Sequence, residues 1–176
     1  MEKSLSLWQL GGLTFTAVLG TLFHFLYDWT GNIAFAPFCA VNESTWEHMK
    51  ILFFPMLIFS VIQSRFFVKD NPNFWLIKFI GILIGLTLIP VLFYTYNGAF
   101  GKSPDWLNIL IFFLAAGIAY FVEYLLLKQD FKQFVAPIVP LAILCLIALA
   151  FAAFTFFPPL LPLFLDPVNN NYGRQK

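Results

Sequence analysis

Both histidines of this chain stand beside carboxylates, and the two groups could work together. In "HFLYDW" His24 and Asp28 are four residues apart. In "NESTWEHMK", residues 42–50, Glu43 and Glu47 share that spacing, His48 follows, and Lys50 lies at i+7 from Glu43. On a helix, residues four apart fall on one face. Imidazole with carboxylate suits a divalent metal, zinc or manganese, and His24, Asp28, Glu43 and His48 form the candidate ligand set. Glu47 is then the candidate general base acting on metal-bound water, with His48 as the second catalytic candidate. Without a metal, the same residues read as a base with an orienting acid. Asn42, Lys50 and Asp166, the last in "FLDP", are further polar candidates on that side; Glu123 reads first as an interfacial acid or the partner of an inner lysine, and second as a candidate for an ion or proton relay.

Helix capping competes with this reading. Asn42 reads as an N-cap, Ser44 with Glu47 as a capping box, and Val41 as a staple. Both glutamates suit the positive end of a helix dipole, and Trp29 and Trp46 fit an interfacial aromatic belt. Capping does not require His48 or the His24–Asp28 turn, so a site built on the cap remains open. No H-E-x-x-H or H-x-x-x-H spacing, Walker loop, Rossmann fingerprint or G-x-S-x-G elbow occurs.

The elements that hold these residues are membrane helices. Charged residues make up 11% of 176 and hydrophobic ones 60%, with 24 phenylalanines; a soluble domain carries about 25% charge. The composition predicts an all-α integral membrane bundle of about five spans, near 5–27, 44–67, 76–96, 106–127 and 134–157. Gly81 and Gly85 form a small-xxx-small packing face in the third span. Four prolines from 158 to 167 open a tail at 158–176, read as an apolar interfacial collar. No repeat or long linker divides the chain, so one membrane domain is expected. A net charge of +1 supplies no field for nucleic acid. Cys39 and Cys145 read as small apolar residues.

The second span runs only from Ile51 to Ser64 without a charge, about 21 Å at the helical rise against about 30 Å of hydrocarbon. Glu47 and His48 are therefore drawn to the membrane boundary. Lys3, Arg65, Lys69, Lys78, Lys128 and Lys132 fall on one side; Lys50, Lys102, Arg174 and Lys176 fall on the other. Positive charge favours the cytoplasm, which predicts a multi-pass cell-membrane protein with its N-terminus inside and its C-terminus and polar run outside.

"HFLYDWTGN" followed by "VNESTWEHMKILFFP" resembles the signature of a family of small bacterial multi-spanning membrane proteins known only as a domain of unknown function. The N-E-S-x-W-E-H run is the most specific part, and the likeness extends from about Leu13 through "DPVNNNYG". The resemblance implies a polytopic bacterial inner-membrane protein and assigns no catalytic role. Three functions fit the residues: a metal-dependent membrane enzyme acting on a lipid or lipid-linked substrate, an ion- or proton-coupled transporter of small molecules, and a non-catalytic binding or assembly subunit.

Overall fold

The computed structural model describes residues 2–130 and 132–174; Lys176, counted above with the outer charges, lies outside the described residues, as does the side chain of Lys3. Five helices form: α1 (Glu2–Thr30), α2 (Thr45–Phe67), α3 (Phe74–Phe100), α4 (Asp105–Leu127) and α5 (Ile138–Phe156). All five are long and apolar enough to cross a membrane. The protein is an all-helical, multi-pass membrane protein whose outer faces contact lipid, and no strand is assigned among the described residues.

Packing follows from where small side chains let helices approach. α1, α2, α3 and α4 close a ring in which α4 returns to α1, and α5 lies against α2 and α3. α2 touches every other helix. Its Leu52, Phe53 and Met56 are sealed against Ile82 and Leu86 of α3, Ala115, Ala116 and Ala119 of α4, and Leu144 and Phe151 of α5. A Cβ on Gly85 would come 2.9 Å from Leu52, and one on Gly81 would run into the Glu123 side chain. These glycines therefore form a packing face, as their spacing predicts.

Two prolines sit inside helices, Pro55 in α2 and Pro90 in α3. Pro55 has no N–H, so the Ile51 carbonyl loses its helical partner. That oxygen lies so near Gly20 of α1 that a Cβ there would be 2.9 Å away. Glycine at 20 thus permits α1 to close over α2.

The α1–α2 connection and the tail fold onto the same end of the bundle. Gly31, at φ 59°, ends α1 by donating its N–H to the Tyr27 carbonyl at 2.8 Å. The tail makes a short 3₁₀ turn at Pro162–Phe164 and a bridge between Leu165 and Tyr172. It is more than a collar: Phe164 is buried against Trp46 and Phe154. Trp46 accordingly packs inward against the tail and α5 instead of joining an interfacial belt.

Candidate functional site

The start of α2 decides which acids meet which partners. Ser44, extended at φ −68° and ψ 153°, is the N-cap, and its hydroxyl accepts the Glu47 N–H at 3.4 Å. Asn42, expected at the cap, sits two residues earlier, where its side-chain oxygen accepts the Ser44 N–H at 2.9 Å. Its amide donates to the Gly173 carbonyl at 3.0 Å and so pins the tail. Because the chain is extended before Thr45, Glu43 and Glu47 do not share a helical face. They point to different places.

Glu47 turns into the protein. Its carboxylate accepts the Val41 N–H at 3.1 Å and pairs with the Lys50 ammonium. Lys50 also donates to the Ala36 carbonyl and the Thr155 hydroxyl, both at 2.8 Å. Both side chains of the pair are almost wholly buried. This strut ties α2 to the α1–α2 connection and to α5. Cys39 lies beside it, and burial pushes its thiol up to about 11.

Glu43 turns the other way, toward the histidines. Its Oε2 lies 3.6 Å from Nε2 of His24 on α1 and 3.6 Å from Nε2 of His48 on α2. The two rings are 5.4 Å apart at 66°. The His24 side chain beside it holds the Glu43 carboxyl below the usual carboxylate range against the upward push of burial. Nδ1 of His48 is 2.9 Å from the Ser44 carbonyl. That contact fixes a tautomer with the proton on Nδ1 and leaves the Nε2 lone pair facing Glu43.

One ligand atom from each of His24, Glu43 and His48 lies within 4.8 Å of the others. Two ligands on a tetrahedral zinc at ordinary bond lengths are about 3.4 Å apart. The two 3.6 Å separations are close to that value without rearrangement. Asp28 is exposed at the end of α1 and lies outside this group. Asp166 is buried in the tail, where it organises a turn by accepting the Val168 N–H at 2.8 Å and the Asn169 side-chain amide at 2.9 Å.

Two cavities meet at Glu43 and His48. One, of about 480 Å³, runs between α1 and α4 along Gly20, Thr21, His24, Phe25, Ile109 and Phe113. The other, of about 160 Å³, lies toward α3 and holds Asn97, Lys102, Ser103 and Asn108. Asp105, Asn108 and Phe112 line both, and Val168 from the tail closes both. Glu47 and Lys50 line neither. Asp105 and its neighbours escape the sequence reading because only the return of α4 to α1 brings them to the histidines. Their signal was the polar cluster "GKSPDWLN" at a helix start, which reads as an ordinary turn.

Glu123 is at the opposite end. It pairs with Lys78 of α3 at 2.5 Å, and both are fully buried. Lys78, counted above among the charges of the inner side, lies one turn inside α3.

The model of a family of unknown function (DUF6512) matches residues 1–174. The chain belongs to that family. No curated protein and no solved structure matches it. The family's description assigns no chemistry, so function rests on the geometry above.

Proposed function

We propose that His24, Glu43 and His48 bind a divalent metal, zinc in the first place, and that the protein is a metal-dependent membrane enzyme acting on a lipid or lipid-linked substrate. One observation carries the reading: two imidazoles and one carboxylate, from α1, the α1–α2 connection and α2, converge at the junction of two cavities, one of which runs along the α1–α4 seam. Three protein ligands with one open position is the arrangement of catalytic zinc sites. A bound ion would polarise a substrate oxygen and lower the pKa of its water. Glu47, committed to Lys50 and Val41, supports the start of α2, and Asp105, which lines both cavities, takes the part of general base.

The same reading puts the site outside. With Lys50 and Lys78 counted as buried partners instead of connection charges, the bias becomes five against three and keeps its direction. The test is metal analysis of purified protein, wild type against His48→Ala. One metal per chain in the first and a loss of at least tenfold in the second are expected. No stoichiometric metal in the wild type would end the proposal.

A further inference from the structure

The two cavities differ in character along one line, and that line runs from water into lipid. At the mouth stand Glu43, Asp105 and Asn108; deeper lie Gly20, Ile51, Phe112 and Phe113. Asp105 opens α4, and Phe113, eight residues on, is about 12 Å further into the membrane. Thr21, Phe25, Ile109 and Phe113 are exposed along the α1–α4 seam, so within the bilayer this cavity opens sideways to lipid chains. The smaller cavity has Ile89, Phe93 and Ile111 on one wall and adds a polar wall that the larger one lacks, Asn97, Lys102 and Ser103. Ser103 accepts from the Asn97 amide at 3.3 Å and donates to Asn108 at 2.8 Å, and Lys102 is the one cation among the described residues on either lining.

The charges on these walls choose the head group. With the histidines neutral, Glu43, Asp105 and Lys102 sum to one negative charge. A divalent ion at the histidines turns that into one positive charge. We infer that the ligand is an anionic, phosphate-headed amphiphile. Its acyl chain enters sideways between α1 and α4, its head lies against Asn97, Lys102 and Asn108, and the link between the two sits over His24, Glu43 and His48. The inference rests on the metal reading for the sign of the mouth, and on the cavities for the rest. Tail and head then belong to the cavity whose chemistry matches each, and the metal is required for the head.

The test uses the full chain in phosphatidylcholine nanodiscs with a lysophosphatidic acid carrying a diazirine on its acyl chain. Crosslinks are mapped by mass spectrometry, and metal content is measured on the same samples. Labelling should concentrate on Thr21 and Ile109 at least tenfold over Leu146 and Leu149 of α5, which are also lipid-exposed. It should fall at least tenfold in Thr21→Trp, which fills the seam yet keeps its metal, and likewise on chelation and in Lys102→Ala. Ile109→Trp serves the same purpose from α4 if Thr21→Trp fails to fold. Even labelling of α1, α4 and α5, equal labelling by a monoacylglycerol with the same chain, or labelling that survives chelation would overturn the inference. Metal present without focused label sinks this inference alone; absence of metal in the wild type sinks the metal reading.

Discussion

The bundle carries ionisable side chains at both ends and treats them in opposite ways. At the far end Lys78 and Glu123 are sealed, with Gly81 on one side and the Phe74 and Tyr120 rings within 5.7 Å of the ammonium. Each charge has its partner, and neither described cavity reaches them. At the site end Glu43 has two imidazoles but, among the described residues, no lysine or arginine; its side chain is 43% exposed, and it lines both cavities. Charge inside a membrane is costly in both places. The far end pairs the two charges with each other and seals them, although Glu123 Oε1 keeps no hydrogen-bond partner there. The site end leaves that cost partly unmet and open, which is what a ligand requires. The Lys50–Glu47 pair follows the far-end pattern although it is one turn from His48.

The contrast predicts where stability resides. Glu123→Leu leaves Lys78 buried without a partner and should cost about 3–5 kcal/mol, read as thermal unfolding in detergent. The double variant Lys78→Met/Glu123→Leu should recover most of that loss; equal losses in both would remove the structural role of the pair. Next in size, Gly81→Ala forces a methyl into the Glu123 side chain and should cost about 1–3 kcal/mol by overpacking. An unchanged melting temperature would show that the α3–α4 seam is looser than described.

The site end should behave in the reverse sense. Glu43→Gln should change stability by less than about 1 kcal/mol, the scale of an exposed ion pair, while metal content drops. A variant that keeps its metal but melts early would place Glu43 with the structural pairs. The smallest effect concerns Cys39. Its thiolate forms only near pH 11, so at pH 8 a maleimide should leave Cys39 unmodified while the protein is folded. Rapid labelling there would mean that the α1–α2 connection opens.

Legibility in the sequence followed physical range. The spans were readable because apolar runs of membrane length have few alternatives. His24 and His48 were readable as neighbours because a short connection joins their helices. Local cap geometry was harder: with Ser44 instead of Asn42 as the cap, Glu43 falls before the helix and Glu47 within it, so an i, i+4 pair becomes two separate partnerships. Long-range pairing was readable in kind, as an acid with an inner lysine, but the particular partner was not. Glu123 has Lys128 nearby in sequence, yet its partner is Lys78, and Asp105 reaches the histidines only through ring closure.

The central claim is that two imidazoles and one carboxylate hold a metal at the junction of the cavities. Zinc-edge X-ray absorption on the purified protein tests it most directly. The predicted first shell has two imidazole nitrogens at about 2.0–2.1 Å and a carboxylate oxygen at about 2.0–2.2 Å, and it disappears in His24→Ala/His48→Ala. An oxygen-only shell that persists in that double variant, or no zinc above background in the wild type, would contradict it.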